Sequence, residues 1–147
     1  MFEGISITDL KIIPNEKGDI FHALKSSENS FTSFGEAYFT TIKKGAVKGW
    51  KKHNSMVSNL IVPYGRIKFV FIDDRDESRT KTQVFICELS LSNYKRITIN
   101  ANIWFAFEGL DDYNLLLNIS NILHDPSESQ NIELENSMFS YNELVSR

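Results

Sequence analysis

Three side chains suited to proton transfer sit close together in the stretch Gly45–Asp74, GAVKGWKKHNSMVSNLIVPYGRIKFVFIDD: Lys48, Lys51 and His53. In an extended segment side chains alternate between faces, so Lys51 and His53 share one face while Trp50 and Lys52 share the other. An imidazole titrates near neutrality and can take a proton from carbon. A neighbouring ammonium can steady the negative charge left behind, or can itself be the base if burial beside other cations lowers its pKa. Tyr38, on a preceding apolar segment, could return a proton or form a wall. Lys48 and Arg75 are cations of the kind that pair with phosphate oxygens. Each has a plainer alternative: His53 as a surface residue beside a solvated lysine pair, Tyr38 as a half-buried strand aromatic, Lys48 as surface charge, and Arg75 as the partner of Asp73 or Asp76.

Strands are what would have to hold these groups. Glu36–Ile42 is rich in β-branched and aromatic residues, and Lys43-Lys44-Gly45 ends it in a turn. Extended segments then recur at roughly 8–12-residue spacing: Ser58–Val62, Ile67–Ile72, Gln83–Leu89, Lys95–Ile99, Ile103–Phe107 and Tyr113–Ile119. Turn residues separate them, among them Pro63-Tyr64-Gly65, Ser90–Asn93 and Gly109–Asp112. Upstream, Ile5–Ile13 reads as one or two short strands and Ile20–Lys25 as extended or a single turn. The polar tail from His124 is expected to lie over the body, anchored by Ile132, Leu134, Met138 and Phe139. No long helical periodicity is present. The pattern predicts an all-β domain over residues 1–147, a jelly roll or similar small barrel.

Composition narrows the function classes. The 147 residues, 41% hydrophobic and 24% charged, suffice for a core without staples. A net charge of −3 gives no electrostatic case for nucleic acid or an anionic membrane surface. No apolar run reaches membrane-spanning length, the N-terminus breaks its apolar residues with Glu3, Asp9 and Lys11 as no signal peptide does, and the lone Cys87 fits a reducing, cytoplasmic setting. Alternation with Phe85 and Leu89 puts Cys87 in the core. Three scattered histidines are too few for a metal site, and no glycine-rich phosphate loop is present, so neither metal nor nucleotide cofactor is expected.

Several short motifs in order carry a resemblance. These are Asn15-Glu16-Lys17-Gly18 with Phe21, Gly45-Ala46-Val47-Lys48-Gly49, Gly65 followed by a strand, Ile72-Asp73-Asp74-Arg75 with Ser78, and Glu88-Leu89-Ser90 with Asn93. Together, over about residues 15–135, they resemble the sugar-nucleotide cupins related to dTDP-4-dehydrorhamnose 3,5-epimerase. The resemblance implies a cupin-type double-stranded β-helix, that is, a jelly-roll barrel. It also implies a nucleotide-sugar substrate, no cofactor, and a homodimer in which an early strand, here within residues 1–14, joins the partner's sheet. This chain departs from the epimerase pattern at the reacting residues: Lys51 stands where the general base falls, Phe105 where a second histidine falls, Leu117 near the tyrosine acid, and Glu135 near the partner aspartate. It is also similar to the cupin 3,4-ketoisomerases, whose Arg-Gly-Gly-His-x-His becomes Lys48-Gly49-Trp50-Lys51-Lys52-His53, with Tyr38 matching a tyrosine of that group. The implied activity is epimerisation or ketoisomerisation of a nucleotide-linked 4-keto-deoxysugar for surface polysaccharide, with His53, Lys51 and Tyr38 as catalytic residues and Lys48 and Arg75 on the diphosphate. The alternative is a catalytically degenerate cupin that only binds a sugar nucleotide or a partner protein.

Overall fold

Apolar residues at every second position give most strands here one face to bury, and two sheets laid face to face bury them together. The computed structural model describes residues 1–146. Its strands are β1 (Ile5–Asp9), β2 (Ile12–Ile13), β3 (Ile20–Phe21), β4 (Glu36–Lys43), β5 (Val47–His53), β6 (Ser58–Tyr64), β7 (Arg66–Ile72), β8 (Val84–Ser90), β9 (Lys95–Ile99), β10 (Trp104–Gly109), β11 (Tyr113–Ser120) and β12 (Ser129–Asn131), with one short helix, α1 (Tyr141–Val145). One five-stranded sheet runs β1-β9-β6-β11-β4 and the other β12-β5-β10-β7-β8, while β2 and β3 form a small separate ladder. All strand pairs in these sheets are antiparallel. This is the all-β jelly-roll barrel that the strand rhythm predicts.

The space between the sheets is filled by Ile5, Leu60, Val62, Ile97 and Ile99 from one and by Ile67, Phe69, Phe71, Leu89 and Phe105 from the other. β7 reads as a nearly continuous apolar run because its outer face is buried too. Val70 and Ile72 join Trp50, Trp104, Ala106 and Tyr141 in a second cluster outside the barrel. The C-terminal segment covers that cluster, as expected, through Ile132, Leu134 and Phe139. Met138 is not an anchor: it is 59% exposed, and Tyr141, Leu144 and Val145 of α1 do the covering instead. Met138 sits in a bend, its backbone amide held by the Asn136 Oδ1, and its side chain is exposed while Phe139 packs on the cluster.

One boundary also differs from the sequence reading. β6 continues through Pro63 and Tyr64, so the turn to β7 narrows to Gly65, whose φ of 77° is in the left-handed region. Pro63 is tolerated because β6 pairs with β9 only up to Ile61, and its ladder to β11 is irregular between Leu115 and Leu117. The Ile5–Ile13 segment is two strands, and β1 pairs with the chain's own β9 at one edge of its sheet. No helix among the described residues is long and apolar enough to cross a membrane.

Candidate active site

β4 and β5 follow one another in the chain but belong to different sheets, each near an edge, and a cavity of about 300 Å³ opens between them. Tyr38 and Thr40 line it from β4, Lys48, Gly49 and Lys51 from β5, Phe105 and Phe107 from β10, and Asn131 from β12. Its size is at the lower end for small-molecule sites.

A strand irregularity brings the two lysines to one wall. Lys48 and Lys51 are three residues apart, which in a regular strand would place them on opposite faces. The β5–β10 register shifts between Phe105 and Phe107, so that Gly49 and Trp50 together lie opposite the single residue Ala106. Beyond the bulge the alternation restarts, with Lys51 and His53 inward and Trp50 and Lys52 outward. Gly49 is required here: its φ is 138°, and a Cβ would stand 2.6 Å from the Ala106 Cβ and 2.8 Å from the Phe105 carbonyl oxygen.

His53 lies under the cavity wall, 8% exposed, with its ring stacked on Phe105 at 6.2 Å between centroids. Burial therefore rules out the surface reading of this residue. Its Nδ1 is 2.7 Å from the Glu128 Oε2. Glu128 comes from the 3-10 turn Pro126–Glu128, capped by Asp125, and β12 directly after it pairs Ser129 with His53. The other carboxylate oxygen, Oε1, accepts from the backbone amides of Ser55 and Met56 at 2.7 Å each. Burial opposes ionisation of Glu128, but those amides and His53 together hold its carboxyl below the usual value. An ionised carboxylate can only accept, so Nδ1 carries the imidazole proton and Nε2 keeps its lone pair. Burial also holds His53 below the ordinary imidazole value, outweighing the opposite pull of Glu128, while Lys51 and His124 push the same way as burial. The ring is thus a neutral base at pH 7, aligned by a carboxylate.

The remaining predicted residues are distributed unevenly. Tyr38 is 44% exposed at the mouth, and its hydroxyl accepts from the Asn118 Nδ2 at 2.8 Å. Lys48 donates to the Thr41 carbonyl oxygen at 3.1 Å. Lys51 has no carboxylate partner among the described residues. Arg75 is not brought to the cavity. Its guanidinium grips the fully buried Asp73 at 2.8 Å through both Nε and Nη2, and Nη2 also reaches Ser78 and the Glu3 carbonyl oxygen. Burial works against the Asp73 charge, but Arg75, Ser78 and Thr80 together keep its carboxyl well below the usual range. No cluster of three metal-ligating side chains is present among the described residues.

Two groups escaped sequence reasoning. The carboxylate that meets His53 is Glu128, not Glu135, which instead binds Ser140 and the Asn142 amide at the start of α1. The Asp125-Pro126-Ser127-Glu128 run is a helix-start signal that would have marked a rigid carboxylate. Asn118 is the second, an interior amide on β11 that shares its buried face with Leu116 and Ser120.

Comparisons with known proteins bear on the fold and the family. No protein-family model matches the chain. A dTDP-sugar isomerase from Desulfovibrio desulfuricans G20 is 31% identical, with a TM-score of 0.91 over 96% of this chain and 92% of that one. The dTDP-6-deoxy-D-glucose-3,5-epimerase of Legionella pneumophila, solved with dTDP-4-keto-L-rhamnose, shares the fold at a TM-score of 0.80 and 20% identity, over 89% of this chain and 73% of that one. Among curated relatives, the probable low-salt glycan biosynthesis epimerase Agl13 of Haloferax volcanii is 24% identical over 124 residues, which is 82% of this chain and 80% of that protein.

Proposed function

The chain belongs to the sugar-nucleotide cupins, the family of the dTDP-sugar isomerases and of dTDP-4-dehydrorhamnose 3,5-epimerase, and from that we propose that it is a cofactor-free epimerase or ketoisomerase of a nucleotide-linked 4-keto-deoxysugar in polysaccharide synthesis. The observation that carries this is the His53–Glu128 pair, a neutral imidazole with Nε2 unprotonated beside a cavity of sugar size. His53 Nε2 removes the proton α to the keto group, the electron pair of that C–H bond becomes an enolate, and Lys51 stabilises the oxyanion. Tyr38 donates its O–H proton to carbon from the opposite face, and solvent restores both groups. Lys48 at the mouth pairs with the diphosphate. Arg75, committed to Asp73, holds the N-terminal strand through Glu3.

Proton NMR with dTDP-4-keto-6-deoxyglucose in deuterium oxide tests this reading. Deuterium should enter at C3 or C5. A protein that broadens the ligand signals without exchange would be a binder and not a catalyst. One observation favours that second reading: Phe105, stacked on the imidazole, stands between His53 and the cavity.

We also infer a cytoplasmic homodimer built at the β1 edge, whose outer side has no strand partner among the described residues. A monomer by sedimentation at micromolar concentration would overturn it.

A further inference from the structure

The interior face of the β4-β11-β6 part of the barrel holds polar atoms that no core needs. Asn118 on β11 is the register partner of Tyr38 on β4 and is 7% exposed. Its Nδ2 donates to the Tyr38 hydroxyl oxygen at 2.8 Å, while its Oδ1 has no partner. Ser58 on β6, 1% exposed, likewise has an unpaired hydroxyl, and it lies across from Ser120, two residues beyond Asn118. Leaving a buried amide oxygen unpaired is unfavourable enough that native interiors rarely do so without a reason. The Tyr38 hydroxyl can donate only once, and the Asn118 donor occupies its acceptor side. Its own proton is then directed away from Asn118.

Resting on the isomerase reading, we propose that Asn118 is a positioning residue of this site: its Nδ2 aims the Tyr38 O–H at the reacting carbon. Proton removal by His53 does not involve Asn118. Loss of the amide therefore affects the return of the proton on the far face and leaves removal and same-face return from deuterated His53 intact. Asn118→Asp has a distinct effect, since a carboxylate there accepts from the Tyr38 hydroxyl and draws its proton the wrong way.

The experiment follows deuterium exchange and inverted or isomerised product together, with dTDP-4-keto-6-deoxyglucose in deuterium oxide. The wild type is measured first, and absence of exchange there overturns the isomerase reading and this inference with it. With an active wild type, Asn118→Leu should keep exchange within about threefold while product falls roughly 10–10²-fold, so the exchange-to-product ratio rises. Tyr38→Phe should raise the ratio equally, and the double variant should be no worse than Tyr38→Phe alone. A merely structural role would depress exchange and product in parallel, leaving the ratio unchanged. If Asn118→Leu does not fold, Asn118→Asp carries the same test. An unchanged ratio, or losses that multiply in the double variant, would overturn the proposal.

Discussion

Strand β5 has two faces of similar composition and different use. Inward, Lys48 before the Gly49 bulge and Lys51 after it line a cavity, and His53 lies behind Phe105 of the same wall. Outward, Trp50 is fully buried under Phe139 and Tyr141, and Lys52 lies 4.7 Å from the centre of the Trp104 ring with its ammonium 2.9 Å from Asp74. Every polar group on the outer face is used: Trp50 Nε1 donates to the Leu134 carbonyl oxygen and Trp104 Nε1 to Asp74. On the inner face, Lys51 has no ionic partner among the described residues, and His53 keeps a ring nitrogen for chemistry. Completed hydrogen bonding marks the face that holds the fold together. Incomplete bonding marks the face prepared for a ligand.

The strongest way to break this comparison is to remove the base while keeping its contact. His53→Asn can still donate to Glu128 but has no basic nitrogen. Product formation and deuterium exchange should both fall by about 10²–10⁴-fold, with the fold retained by circular dichroism. Wild-type turnover from the variant would move the base elsewhere, with Lys51 the first alternative. On the outer face, Trp50→Ala should do the converse. It opens a hole under Phe139 and Tyr141 and should lower unfolding free energy by about 3–5 kcal/mol in a urea titration, with the kcat of the folded fraction little changed.

The adjacent lysines sharpen the contrast because they are the same residue type one position apart. Lys51→Met should lower kcat by roughly 10–10²-fold through the lost enolate partner, with stability near wild type. Lys52→Met should leave kcat alone and lose about 1 kcal/mol, since Asp74 keeps its bond from Trp104 Nε1 and is partly solvated. Equal kinetic effects from the two substitutions would dissolve the distinction between the faces.

The facing of Lys51 and His53 was legible from alternation alone, as was the placement of Trp50 and Lys52 on the opposite side. The barrel followed from strand rhythm, and the tail's place from Ile132, Leu134 and Phe139. Lys48 was placed at the site by resemblance. Its physical route there is the bulge at Gly49 and Trp50, which depends on a register against β10 that lies more than fifty residues downstream. Glu128 was illegible for a related reason. Only the pairing of Ser129 with His53 brings the Asp125–Glu128 turn to the imidazole, and three-residue strands leave little trace in a sequence. Arg75 shows the reverse case. Two carboxylates immediately before it signalled the ion pair that it makes, and the pairing is local in the chain.

The smallest effect expected concerns acid stability, and its sign separates a buried working imidazole from an exposed one. Burial lowers the His53 pKa from an ordinary 6.5, so near and below that pH the unfolded chain binds a proton that the folded chain refuses. Stability rises with pH wherever the unfolded state holds more protons. The contribution of His53 is therefore fully present above about pH 6.5 and is lost as pH falls through its lower folded value. Glu128 acts in the same direction further down, because its own folded pKa lies below 4.5 and its share is lost only in stronger acid. Melting temperature measured between pH 7.5 and pH 5 (roughly one unit above and one and a half below the free imidazole) should decline in the wild type. The decline should flatten in His53→Asn, which has no group to protonate there. Parallel slopes for the two proteins would mean that the imidazole takes up its proton as readily in the folded barrel as in water, and the inner face of β5 would then lose its distinguishing feature, a base kept neutral by its surroundings.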